Sequence, residues 1–199
     1  VNKGKRFPPH PIKRADVLAL IRVAGDGTEV GVRNRAILTM MYRTGARTAE
    51  LHHMHLNDIR WLDDGRMIVR IAVPKGYSGG AMPREIGIDK KATQNIMEWL
   101  AVRGSGDGPL FITRNGTGVS PVYLRQLLPR LARRAGIQRR VHPHAMRHSF
   151  AQDMERDGVS MMDIMGALGH QSLVTTQKYL QRVGVRAEEV VYTTMNRSW

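Results

Sequence analysis

The spacing of apolar residues changes twice along the chain, and this limits its architecture more than any other feature. Apolar residues recur at helical spacing from Ile12 to about residue 56, fall into three short runs between 59 and 88, and return to helical spacing from Ala92. A helix buries one stripe every 3.6 residues and a strand buries alternate residues, so such a chain packs helices around one small sheet. The first helix is expected from near Ile12, with Val17, Leu18, Leu20 and Ile21 apolar, ending at Gly25-Asp26-Gly27. A second, over about 30–43, presents Ala36, Ile37, Met40 and Met41 as its buried face and stops at Gly45; a third runs from near Thr48 to just before Asn57. Strands are expected at 59–62, 67–73 and 84–88, separated by turn-forming residues. Helices follow at 92–102, 120–135, 143–157, 161–168 and 173–181, with Ser120, Ser160 and Ser172 as N-caps, Pro121 at a first helical position and a short extended piece at 110–113. The expected fold class is mainly α with a small antiparallel β-sheet (α+β). Residues 1–11 read as a basic linker stub, 12–182 as the main domain, and 183–199 as a C-terminal tail, either frayed or docked into a neighbouring subunit.

Composition narrows the partners. No apolar run approaches the roughly 18 residues of a membrane span, and no apolar segment follows the basic N-terminus as a secretory signal would require. The sequence holds no cysteine, which excludes disulfides and thiolate zinc sites and fits a cytosolic setting. Lysine and arginine number 31 against 17 acids, a formal net charge of +14. That excess is the footprint of a polyanion binder, with an acidic protein partner as the plainer alternative. Most of the cations are arginines, whose planar fork matches phosphate oxygens in pairs.

Three segments carry candidate chemistry. In Leu168-Gly169-His170 and onward to Tyr179, a hydroxyl nucleophile follows a histidine by nine residues. A phenol with an ordinary pKa near 10 attacks poorly at neutral pH unless cations stabilise the phenolate and the transition state. Gly169 is expected to end a helix in a left-handed cap and turn His170 back toward a pocket. Arg47 follows Gly45 near a helix start, where backbone N–H groups favour phosphate; pairing with Glu50 is the alternative. His144 and Arg147 are three apart and share a helix face, whereas His148 lies off it and reads as structural. Each has a plainer reading, a packing tyrosine or a solvated surface pair. Of the five tyrosines, at 42, 77, 123, 179 and 192, only Tyr179 has the histidine context, with Tyr192 a distant second. His52, His53 and His55 raise the idea of a metal nuclease, with His52 and His55 on one helix face, but no carboxylate at helical spacing completes a site.

Taken in order, Thr44-Gly45-Ala46-Arg47-Thr48-Ala49-Glu50-Leu51, His144-Ala145-Met146-Arg147-His148-Ser149-Phe150 and the His170 to Tyr179 segment resemble the catalytic boxes of the tyrosine recombinase (phage integrase) family, over roughly 12–182. The resemblance implies that Arg47, His144, Arg147 and His170 surround a DNA phosphate and that Tyr179 is the nucleophile. It implies a buttressing role for Glu50. Lys75, the only lysine between residues 14 and 89, would be the general acid, or else a hairpin-tip contact to the DNA backbone. The activity implied is DNA strand exchange through a 3′-phosphotyrosine, with no cofactor, metal or ATP. Double-stranded DNA and a homotetramer assembled on it are the implied partners, in the cytoplasm, on a nucleoid or on phage or mobile-element DNA. Two departures stand out: Gln181 replaces a histidine common two residues after the tyrosine, and a basic stub stands where most members carry a DNA-clamping domain. The chain therefore reads as a catalytic fragment or a minimal enzyme. A type IB-like topoisomerase and a silent DNA-binding module remain open at this point.

Overall fold

The computed structural model describes residues 11–72 and 82–169. Its elements run α1 (Arg14–Ala24), α2 (Glu29–Thr44), α3 (Thr48–His52), a 3₁₀ turn (Leu56–Asp58), β1 (Ile59–Trp61), β2 (Met67–Ile71), β3 (Arg84–Ile88), α4 (Lys90–Arg103), α5 (Pro121–Arg134), α6 (Pro143–Arg156) and α7 (Met161–Leu168). The expected class holds: the described residues are mostly helical, with one three-stranded antiparallel sheet in the order β1-β2-β3.

Local signals set most helix ends. The side chains of Thr28, Asp89, Ser120 and Ser160 accept hydrogen bonds from free amides at the starts of α2, α4, α5 and α7. Gly45 and Gly169 close α2 and α7 in the left-handed conformation, at φ 59° and 64°. Ile12 lies just before α1 rather than in it, because its N–H donates to Ser149 Oγ at 2.8 Å and its carbonyl faces the same hydroxyl.

Two expectations need correction. Helix α2 is buried well beyond the stripe of Ala36, Ile37, Met40 and Met41: Arg33, Asn34, Leu38, Thr39, Tyr42 and Thr44 are buried too. The cause is its central place, packed against α1, α4 and α6 and touching β3. Helix α3 ends at His52, several residues early. There the chain turns extended to pair with a distant segment: Leu110 N–H donates to the Met54 carbonyl and Leu56 N–H to the Gly108 carbonyl. His52 and His55 therefore do not share a helix face.

In the sheet, Met67, Val69 and Ile71 of β2 point to the core, and the register pairs Met67 with Ile88 and Ile71 with Arg84. One large apolar core joins the helices and sheet. A smaller one, Phe150, Ala151, Ile164 and Leu168, seats α7 against α6 and so fixes where α7 ends.

Candidate active site

Arg47 is the N-cap residue of α3, two positions beyond the glycine that ends α2. That glycine is required: a Cβ on Gly45 would lie 2.6 Å from the Phe150 ring, in a backbone conformation side chains rarely adopt. Beneath Arg47 lies Glu50, whose side chain is 1% exposed. The Arg47 backbone N–H donates to Glu50 Oε2 at 2.7 Å and its Nη1 to Oε1 at 2.9 Å. The pairing weighed as an alternative for Arg47 thus exists, yet Glu50 serves more than that partner. Arg84 donates to both carboxylate oxygens, at 3.1 and 2.9 Å. Burial pushes the Glu50 carboxyl up, but the Arg84 ion pair, the Arg47 amide and the nearby Arg147 charge outweigh it and hold it below its ordinary value.

Arg147 projects from α6 and is buried. Its Nη1 donates to the Gly45 carbonyl and its Nη2 to the Leu168 carbonyl, the latter at 2.6 Å. One guanidinium therefore ties the end of α2 to the end of α7. His144 stands one turn before Arg147 and is exposed. The protein around its ring still desolvates it, and Arg147 and Arg47 repel a proton, so its pKa lies below the ordinary 6.5. It is a neutral imidazole at pH 7, able to accept a proton.

Three successive carbonyls where α7 ends, those of Ala167, Leu168 and Gly169, are held by groups distant in sequence. Arg84 Nε donates to Ala167 at 2.7 Å, Arg147 to Leu168, and the Met82 amide to Gly169 at 3.1 Å. A Cβ on Gly169 would approach the Met82 carbonyl to 2.8 Å. The chain leaves Gly169 from the place where Arg47, His144 and Arg147 converge. His170 and Tyr179, like Lys75, lie outside the described residues, as do the expected helix at 173–181 and the tail at 183–199.

Arg84 escaped the sequence reading, although a signal existed. Period-two alternation in β3 places it on the same face as Ile86 and Ile88, and an inward arginine on a core strand needs a buried carboxylate.

Other candidates fall into structural roles. His148 is desolvated and faces His144, His142 and Arg147, which lowers its pKa to about 4. The rings of His52 and His53 each place Nδ1 against a carbonyl, Val119 at 3.0 Å and Ala49 at 2.8 Å, so each must donate from that nitrogen. Among the described residues no cluster of three or more histidines and acids is placed to hold a metal, and no helix is long and apolar enough to cross a membrane. Two of the five tyrosines are described. Burial and a hydrogen bond to Asp153 raise the Tyr42 phenol well above its ordinary value. The Tyr123 hydroxyl sits between Arg33 at 3.0 Å and Asn34 at 2.9 Å.

Comparison with known proteins agrees with this geometry. A tyrosine recombinase XerC from Lactobacillus delbrueckii subsp. bulgaricus is 30% identical over 186 residues, covering 90% of this chain and 60% of the relative. One from Chromohalobacter salexigens is 32% identical over 178 residues, covering 87% and 56%. The chain thus spans less than two thirds of the length of these relatives. Among solved structures, XerA recombinase shares the fold at a TM-score of 0.77 and 22% identity, covering 99% of this chain and 66% of that one. XerH site-specific recombinase bound to difH substrate, a pre-cleavage complex, matches at 0.72 and 25%, covering 94% and 53%. The sequence matches the phage integrase family over residues 12–183, and with three of its expected phosphate-binding side chains gathered at one point, this chain belongs to that family.

Proposed function

We propose that this chain is the catalytic domain of a site-specific DNA recombinase that cuts and rejoins double-stranded DNA through a 3′-phosphotyrosine on Tyr179. The observation that carries this reading is the convergence of Arg47, His144 and Arg147 where α2 ends, with Arg147 also gripping the carbonyl of Leu168, two residues before His170. The names of the relatives, tyrosine recombinase XerC, support it. So does the engagement of Tyr42 and Tyr123 in structural contacts, which leaves the nucleophile to be sought elsewhere.

In this reading the Tyr179 oxygen attacks the scissile phosphorus in line. Its proton passes to the neutral His144, the bond to the 5′ oxygen breaks, and Lys75 protonates that leaving oxygen. Arg47 and Arg147 stabilise the charge on the non-bridging oxygens, and His170 donates a further hydrogen bond. A guanidinium carries five N–H donors, so anchoring two carbonyls and binding a phosphate are compatible tasks for Arg147. The new phosphodiester link keeps the energy of the old one, so a 5′ hydroxyl from a second duplex reverses the step without ATP, metal or cofactor. Exchanging both strands of two duplexes needs four such tyrosines, hence a homotetramer on DNA. The setting is cytoplasmic, on a nucleoid or on phage or mobile-element DNA.

A nicked suicide duplex built from DNA flanking the encoding element tests this, incubated in EDTA and resolved on a denaturing gel. A covalent 3′ adduct mapped to Tyr179 by peptide mass is the expected result. An adduct on another residue, or one that needs a divalent metal, overturns the reading.

A further inference from the structure

His144 and Thr48 line one side of a surface pocket of about 320 Å³ whose other lining residues the reaction scheme leaves unused. Besides His144, its basic lining consists of Arg125 from α5, and Arg140 and His142 from the segment leading into α6. Its apolar walls are Pro129, Val141 and Pro143, and no carboxylate is among the described residues that line it. Arg125 and Arg140 are exposed, and Arg140 lies near enough to His142 to repel a proton from it. The His142 ring sits 6.5 Å from the His144 ring, comparable to the separation of successive phosphates along one DNA strand.

We propose that this pocket is a second phosphate subsite, in which Arg125, Arg140 and His142 hold one non-scissile backbone phosphate of the duplex whose neighbouring phosphate lies at His144. The proposal rests on the DNA reading above and names where the strand runs from the reacting centre. Clefts lined by one sign of charge concentrate counter-charge. Two guanidinium forks and an imidazole N–H supply charge-assisted donors to phosphate oxygens, while the prolines and Val141 offer an apolar surface to the adjoining sugar. Such a contact carries no sequence information. It sets the register of the strand, so that one phosphate rather than the next meets the tyrosine.

The test is the salt dependence of binding between the full chain and a fluorescently labelled duplex of mixed sequence, read by anisotropy. Each neutralised phosphate contributes about 0.9 to the slope of log K against log salt. The double variant R125Q/R140Q is expected to flatten that slope by about 0.9, one phosphate's worth. The pair R22Q/R114Q, which removes the same charge outside the pocket, is expected to leave the slope unchanged. All four arginines are exposed, so the fold is not at stake. No change in R125Q/R140Q overturns the subsite while leaving the DNA reading intact. A loss near twice that size means separate phosphates and also overturns it, as does equal flattening in R22Q/R114Q. Absence of any salt-dependent binding by the parent chain removes the subsite together with the reading beneath it.

Discussion

Glu50 shows how much one carboxylate can organise. It is almost fully buried, and both of its oxygens are shared between Arg47 and Arg84. Replacing it with glutamine keeps the shape but leaves the Arg84 guanidinium buried without its counter-charge. Breaking a buried pair in this way costs about 3–5 kcal/mol, and urea unfolding of E50Q should show a loss of that order. The pH dependence has a definite sign. The folded carboxyl is held below its ordinary value, so its stabilisation is present above the unfolded pKa of about 4.3 and lost as pH falls through the folded one. E50Q should therefore lose part of the acid limb of the parent's stability curve. His148 acts in a higher window. Its folded pKa of about 4 lies below the ordinary 6.5, so the unfolded chain binds the extra proton between those values and stability falls as pH drops from 6.5 toward 4. H148Q should make that slope shallower by up to about 1.36 kcal/mol per pH unit, measured by denaturant unfolding across the range.

At the scale of elements, the end of α7 is the point on which the site turns. Gly169 combines a positive φ of 64° with a Cβ position 2.8 Å from the Met82 carbonyl, whereas Gly116, at φ 74°, has nothing within 4 Å. Both Gly→Ala changes carry the left-handed backbone cost of about 1–2 kcal/mol. Only G169A adds a collision with backbone, and that collision displaces the carbonyls gripped by Arg84 and Arg147. Thermal melts should rank G169A clearly below G116A, and covalent capture of the suicide duplex should drop in G169A alone. The comparison also shows what the sequence can reveal. Gly45, Gly169, Ser120 and Ser160 act through neighbours in the chain, so helix ends were legible. The shared face of His144 and Arg147 was legible for the same reason. The early stop of α3 was not, because it depends on pairing of Met54 and Leu56 with the stretch around Gly108 and Leu110. Nor was Arg84, which joins Glu50 at 34 residues' separation and Ala167 at 83. Local spacing named the candidate groups, and only the folded chain revealed the links that hold Arg47 and Arg147 in place.

For the molecule as a whole, affinity and chemistry have separable sources. In the proposed reading, a formal net charge of +14 would draw DNA through phosphate contacts, while the proposed cut depends on one phenolic oxygen. Removing that oxygen in Tyr179→Phe changes neither the net charge nor the cations that face the duplex. Y179F should bind labelled duplex with the parent's affinity and salt slope, yet give no covalent product. Salt should do the reverse. If six to ten phosphates are neutralised, raising salt from about 50 to 200 mM weakens binding by about 10³ to 10⁵ in parent and variant alike. Adduct that had already formed in the parent would survive the shift, because a covalent bond does not respond to counterions. Anisotropy and denaturing gels run in parallel on the two proteins measure both quantities. Persistent adduct in Y179F would move the nucleophile to another hydroxyl, and a weakened Y179F would mean that the tyrosine contributes to holding the duplex as well as to cutting it.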